Sequence, residues 1–233
     1  MKGMKKKLLA VVAAMTMLCM TLTGCGEELV PADQTIGALF ELAAKENAVP
    51  MKDLLGFASE EDVKSAFYEE GADTDLVEEF SKEFEDAGMT LSQEDLQYFT
   101  DQLYAMLDKV TYTAEITSEE KDAVVVTLKV NGFSEEEMNE VMLEASTKMM
   151  ESITEEDQLA IMDGDEDLFN TYISQYLRDF SDGLAAMEPS DEAVEITVNC
   201  EKLLVEVSGK EKAAWLPTDM DGFSLDIENA LIH

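Results

Sequence analysis

The sequence predicts an α+β domain with an antiparallel sheet, and three changes of hydrophobic period along the chain carry that expectation. Apolar residues recur at helical spacing from Ile36 to Leu107, alternate at strand spacing from Val110 to Val130, return to helical spacing between Met138 and Met187, and alternate again from Val194. Helices, hairpin, helices, hairpin is the order of an α+β domain, because a parallel βαβ sheet would alternate single strands with single helices. Roughly 200 residues suffice for one domain that buries about 70% of its surface. Residues 35–233 are therefore expected to form a single domain.

The first helix is read from Thr35, with Ile36, Leu39, Phe40 and Ala43 on one face, and Val49-Pro50 reads as a break before Met51, Leu54, Leu55 and Phe57. Ser59 with Asp62 has cap spacing ahead of Val63, Ala66 and Phe67, and Leu76, Val77, Phe80 and Phe84 mark the next helix. Past Gly88, Ser92 with Asp95 opens a helix carrying Leu96, Phe99, Leu103, Met106 and Leu107. Val110, Tyr112, Ala114 and Ile116 then alternate, residues 118–122 turn, and Val124, Val126, Leu128 and Val130 alternate back, so each strand is expected to hide one face. Ser134 with Glu137 and Thr154 with Asp157 have capping-box spacing before two more helices. A third helix carries Phe169, Tyr172, Ile173, Tyr176, Leu177, Phe180, Leu184 and Met187 up to Pro189. The chain is expected to close with β structure. It runs from Val194 to Cys200 and changes parity at Leu203, Val205 and Val207, which predicts a bulge or break near Glu201. Residues 208–212 turn into Ala213 to Leu216, and Phe223, Leu225, Ile227 and Leu231 are expected to finish against the body.

Ahead of this domain, Lys2, Lys5, Lys6 and Lys7 precede an uncharged, mostly apolar stretch from Leu8 to Gly24, the layout of an export signal. About 17 residues is at the short limit for a membrane span. Leu22-Thr23-Gly24-Cys25 decides between the two readings, because it resembles the lipobox of bacterial lipoproteins. The resemblance implies that Leu22, Thr23 and Gly24 are recognised by the signal peptidase, that residues 1–24 are removed, and that the Cys25 thiol takes the lipid. Acylation of palmitate type with more than one chain gives stable anchoring. Residues 25–34 become a lipidated cysteine and a short tether reaching at most about 30 Å, which places the domain at the extracellular face of the cell membrane.

The chain has 16 basic and 52 acidic residues, a formal charge of −36. Removal of residues 1–24 takes four of the basic residues and none of the acidic ones, leaving 12 against 52 and a charge of −40. Such a body is repelled by nucleic-acid phosphate and has no basic stripe, so nucleic acid is excluded as a partner. Of three cysteines, Cys19 leaves with the leader and Cys25 is lipidated; Cys200 continues the strand spacing of Val194, Ile196 and Val198 and is expected to be a small buried core residue.

The run from Asp33 to Ala44, the hairpin from Val110 to Val130, and residues Lys210 to Leu231 with Trp215 on a late strand add to the lipobox. Together they resemble the small uncharacterised lipoproteins of Gram-positive bacteria with a cystatin-like or nuclear-transport-factor-like fold. The resemblance implies helices packed on a curved antiparallel sheet, a cone that often encloses a pocket. The helices between Ser134 and Pro189 are extra to that pattern and form a helical insertion or a partial duplication. The family carries no catalytic motif to transfer.

The search for chemistry is mostly negative. The single histidine is the last residue, His233, which disfavours Ser-His-Asp, Cys-His and ordinary zinc sites. Ser118-x-x-Lys121 falls in a hairpin turn, and the glycines make no phosphate-binding loop. Carboxylate pairs exist at any spacing among 52 acids and so indicate nothing about glycosidase chemistry. Asp163 to Asp167, and Asp219 to Gly222 with Asp226 and Glu228, have calcium-type oxygens, but both miss the EF-hand register and read as solvated turns. Met138, Met142, Met149 and Met150 could suit Cu(I), yet three of them share a stripe with Val141 and Ala145 and read as adaptable core. The stripe Phe169, Tyr172, Tyr176 and Phe180 reads as core too. If a pocket forms, its lining is expected from Tyr172, Tyr176, Phe180 and Trp215, because tyrosine joins apolar area to an orienting hydroxyl. The expectation is a non-enzymatic binding or interaction domain needing no cofactor, with a small molecule or cell-surface protein as partner and calcium disfavoured. The alternatives are a carboxylate- or metal-dependent enzyme in the pocket, and a passive acidic envelope component.

Overall fold

The computed structural model describes residues 29–68 and 76–233. The leader, Leu22 to Gly24 and Cys25 lie outside the described residues. Within them the elements run α1 (Ala32–Lys45), α2 (Val49–Leu55), α3 (Glu60–Phe67), α4 (Leu76–Asp86), α5 (Gln93–Leu107), β1 (Thr111–Glu119), β2 (Ala123–Asn131), α6 (Glu135–Ser152), α7 (Glu155–Met162), α8 (Glu166–Ala186), β3 (Val194–Val207), β4 (Lys210–Pro217) and α9 (Met220–Leu231). This is an α+β protein with one four-stranded antiparallel sheet in the order β1-β2-β3-β4. Packing gathers the chain into two compact units, residues 29–68, 111–132 and 191–233 in the first, and residues 76–110 and 133–190 in the second. The extra helices between Ser134 and Pro189 fall in the second.

The first unit is the sheet with α1, α2, α3 and α9. β2 and β3 pair with Val126 opposite Val198, which joins the two predicted hairpins into one meander across a long chain separation. At the β3–β4 turn Ser208 and Gly209 both have positive φ, 53° and 78°, as a two-residue type I′ turn requires. α1 is buried on nearly every side, with Ile36, Leu39, Phe40 and Leu42 fully covered, and it meets α2, α9 and strands β1, β2 and β4. A helix with so broad an apolar face belongs inside a core, although Gln34 in its first turn stays exposed. The helix starts at Ala32, three residues before Thr35, and Pro50 sits in the first turn of α2 instead of breaking a helix. Proline is tolerated there because its missing N–H would have no helical partner.

Three expectations for this unit are corrected. β3 runs unbroken through Glu201 in constant register with both neighbours. Buried side chains nevertheless change face, from Ile196, Val198 and Cys200 to Val205 and Val207, because past Glu201 the strand leaves β2, pairs only with β4, and the helix α3 packs on β3 as well. Burial on both faces thus imitated a bulge. Second, β1 hides little: it is an edge strand whose Ile116 is exposed, with a bulge between Ile116 and Ser118, whereas β2 alternates cleanly. Third, the closing segment is helical, since Asp219 accepts the Gly222 N–H at 2.9 Å and caps α9, which buries Phe223, Ile227, Ala230 and Leu231 but leaves Leu225 exposed.

In the second unit α8 is the hub, meeting α5, α6 and α7, while α4 packs on α5. Leu96, Phe99, Leu103, Met106 and Leu107 are buried as the spacing predicts. Phe80 meets Phe99 edge-on at 4.9 Å, and Phe99, Phe180 and Tyr176 continue as a stack with spacings of 6.3 and 6.1 Å. The capping box Thr154–Asp157 forms in full, like Ser59–Asp62 in the first unit, whereas Ser134 makes only the half that accepts the Glu137 N–H. The methionine stripe of α6 is not a core: Ala145 is the buried residue of that helix, Met138 and Met149 are half-covered, and Met142 and Met150 are exposed. α7 has no buried residue. Helical spacing locates one face of a helix but does not say that anything covers it.

Candidate functional site

A concavity of about 440 Å³ in the first unit lies where α1, α2 and the edge strand β1 meet. Asp33, Gln34, Gly37 and Ala38 line it from α1, Pro50 and Leu54 from α2, and Tyr112, Thr113 and Ala114 from β1. Positions i, i+1, i+4 and i+5 form one helical stripe, so a single face of α1 makes the floor. Tyr112 stands beside it. Its ring is tilted against Phe40 at 4.5 Å, and its hydroxyl donates to the Gly37 carbonyl at 3.1 Å. Gly37 makes this contact feasible, since a Cβ there would lie 3.2 Å from Tyr112 Cε2 and 3.3 Å from its hydroxyl oxygen. Burial, helped by the charge of Glu41, pushes the Tyr112 hydroxyl above its usual value, so it stays a neutral donor. Asp33 Oδ1 is buried and has no hydrogen-bond partner among the described residues. An orphaned carboxylate oxygen of this kind costs about 1–3 kcal/mol until a donor arrives.

A second concavity of about 140 Å³ is bounded by Ile196 to Asn199, Pro217, Thr218 and the start of α9. Its Asp219 is already engaged as the α9 cap. Asp165 likewise caps α8 by accepting the Leu168 N–H at 3.0 Å. Each acidic cluster thus has a member serving as a helix cap, and among the described residues no three Asp, Glu, His or Cys side chains converge as a metal site. His233 Nδ1 lies 3.3 Å from the Ala230 carbonyl oxygen.

The residues expected to line a pocket are not brought together at either concavity. Tyr172, Tyr176 and Phe180 belong to α8 of the second unit, where Tyr172 hydrogen-bonds Asp157 at 2.8 Å and Tyr176 stacks on Phe180. Trp215 belongs to β4 of the first unit and is buried. Neither concavity includes any of the four. The residues that do line the larger one carried a faint signal in sequence: an isolated glycine, Gly37, inside a helical pattern, and a tyrosine among aliphatic residues on a strand.

A connected polar network lies in the second unit. Asp95 accepts from Arg178 Nε at 2.6 Å and from the Ser92 hydroxyl at 2.7 Å, and Arg178 also reaches Glu94 at 3.2 Å and lies over the Tyr98 ring at 5.4 Å. Burial would raise the Asp95 pKa, but hydrogen bonds from Ser92, Arg178 and Ser174 and the Arg178 charge outweigh it and hold the carboxyl below its ordinary value. Tyr98 donates to Asp182. These groups satisfy one another.

No family model matches the chain, and no curated protein does. Among solved structures, the fold is similar to the crystal structure of ycdA from Bacillus subtilis subsp. subtilis str. 168, designated a putative lipoprotein, with a TM-score of 0.51 and 13% identity. The alignment covers 87% of this chain but only 56% of that one, so the chain spans little more than half the length of its neighbour.

Proposed function

We propose that this chain is an exported lipoprotein held by Cys25 at the outer face of the cell membrane, and that its folded part is a binding domain, not an enzyme, which receives a small molecule at the Tyr112 concavity. The observation that carries the reading is Leu22-Thr23-Gly24-Cys25, which ends an uncharged apolar run only seven residues before α1 begins at Ala32. A shared fold with the Bacillus subtilis protein of lipoprotein designation supports it. Among the described residues no helix is long and apolar enough to cross a membrane, and the lipid is the anchor. The cystatin-like cone implied by the resemblance belongs to the same proposal.

The position of the concavity follows from the anchor. Seven residues reach about 25 Å at most, and Asp33 and Gln34 stand in the first turn of α1, so the ligand is taken close to the bilayer. Ala38, Pro50 and Leu54 supply apolar contact, and Asp33 Oδ1 asks for a donor. The ligand is then a molecule with an apolar body and an N–H, O–H or ammonium group. With one carboxylate, no histidine and no activated nucleophile among the lining residues, the site orients a ligand without transforming it.

The test has two arms. In a Gram-positive host, the wild-type chain takes up an alkyne-palmitate label, while Cys25→Ser takes up none; labelling of the variant would end the lipoprotein reading. Native mass spectrometry of the processed chain, purified gently, then shows an organic adduct that Asp33→Ala loses. A clean mass before and after exposure to a metabolite extract would end the binding reading.

A further inference from the structure

The second unit leaves a set of large apolar side chains in water. On α6 and α7, Leu143, Met150, Leu159 and Met162 are 64–76% exposed, and Met142 and Phe169 are exposed beside them in sequence. They are not scattered. Leu143 and Met150, seven apart, share a line along α6, and Leu159 and Met162, three apart, share one along α7. The Tyr172 hydroxyl, 2.8 Å from Asp157 Oδ2 and 3.4 Å from the Ser152 carbonyl oxygen, holds the α6–α7 corner on α8. Phe169 is one turn before Tyr172 on the same side of α8. Three successive helices therefore carry exposed apolar side chains, and Tyr172 ties the α6–α7 corner to α8. Removing such side chains from water is favourable, and the described chain leaves this unused. Methionine, flexible and polarizable, suits a surface that must adapt to a partner.

The charge around this corner selects the partner. Residues 135–169 hold thirteen acidic residues and a single basic one, Lys148, which is paired with Glu144 at 2.9 Å. A second copy of the chain, with its formal charge of −36, and an anionic lipid surface are both repelled. A segment with lysine or arginine on one side and apolar residues on the other is attracted by the rim and desolvates the methionines and leucines. We propose that the α6–α7 corner is a docking surface for a basic amphipathic helix of another protein, engaged through anchors at i, i+3, i+4 and i+7. The surface is separate from the Tyr112 concavity and does not depend on its role.

The test uses the processed chain and a fluorescent peptide of roughly 18 residues, leucine and lysine only, with the leucines at helical spacing. The peptide binds saturably at one site, more weakly as salt rises, and a scrambled peptide of equal charge binds at least about tenfold less tightly. The triple variant Met150→Gln, Leu159→Gln, Met162→Gln keeps its circular dichroism and loses at least about tenfold in affinity, whereas Ile116→Gln with Leu225→Gln, exposed on the first unit, changes nothing. Equal binding of the scrambled peptide reduces the effect to bulk charge and overturns the proposal, as does unchanged affinity in the triple variant. Dimerisation in sedimentation that the triple variant abolishes would assign the surface to a second copy, and binding to anionic vesicles with the same loss would assign it to lipid; either result overturns it too.

Discussion

Gly183 faces Val141 where α8 crosses α6, and replacing it with alanine sets two effects of known sign against each other. Alanine in a helix interior is favoured over glycine by about 1 kcal/mol. Against this, the new Cβ would lie closer than 3.0 Å to Val141 Cγ1, 3.5 Å from Cβ and 3.6 Å from Cγ2. Valine on a helix has one strongly preferred rotamer and cannot swing aside cheaply. Overpacking of this kind costs about 1–3 kcal/mol, so Gly183→Ala is expected to destabilise the second unit by about 1 kcal/mol. In a Val141→Ala background the obstructing methyl is gone and the propensity gain stands alone. There, Gly183→Ala should stabilise by up to about 1 kcal/mol. The sign reverses, and the coupling between the two positions is about 2 kcal/mol. Urea unfolding followed by circular dichroism at the helical band measures all four proteins; the lone Trp215 lies in the first unit and reports that transition separately. Stabilisation by Gly183→Ala in the wild-type background, or equal destabilisation in both backgrounds, would refute the close crossing of α6 and α8.

Asp95 is 6% exposed and its folded pKa is lowered, so its stabilising contribution is present above its unfolded pKa of about 3.9 and is lost as pH falls through the folded value. In acid titrations of unfolding free energy the wild-type curve should fall more steeply below about pH 4 than that of Asp95→Asn, and parallel curves would contradict the network around Arg178. A Cβ at Gly132 would lie 2.7 Å from the Leu231 carbonyl oxygen and closer still to that of Ala230. These are backbone atoms that cannot rotate away, so Gly132→Ala should cost at least about 3 kcal/mol and lower the midpoint of the Trp215 fluorescence transition; an unchanged midpoint would show that α9 does not close on the end of β2. Burial pushes the Cys200 thiol up to about 12, so residues 26–233, in which Cys200 is the one cysteine, should resist a thiol reagent when native and react once in urea. The stabilisation from keeping this thiol neutral is complete below about pH 8.5 and fades as pH rises toward the folded value; prompt native labelling would mean the strand is not where it is placed.

The candidate site was only partly legible in sequence. Tyr112 and Gly37 are far apart in the chain, and only packing of α1 against β1 makes the glycine a seat for the ring. The aromatic stripe of α8 was visible as a stripe, but its stacking of Phe180 on Phe99 and Tyr176 depends on α5, brought from elsewhere in the chain. α9 was missed because its first turn, Asp219 to Gly222, resembled an acidic loop; the cap and the apolar spacing of Phe223, Ile227, Ala230 and Leu231 were the overlooked signal.

The sequence by itself determined the α+β class, most helix starts, the β2 alternation and the burial of Cys200, because caps, period and turn chemistry act over a few neighbouring residues. It also contained the Leu22–Cys25 tetrad behind an uncharged apolar run. Only the tertiary structure decided that β2 pairs with β3 across the intervening helices, that the valines at the end of β3 are covered on the opposite face, and that Met142 and Met150 of α6 stay in water. Periodicity says which side chains share a face. Whether that face is covered depends on a partner brought from elsewhere in the chain, and that is a property of the packed structure alone.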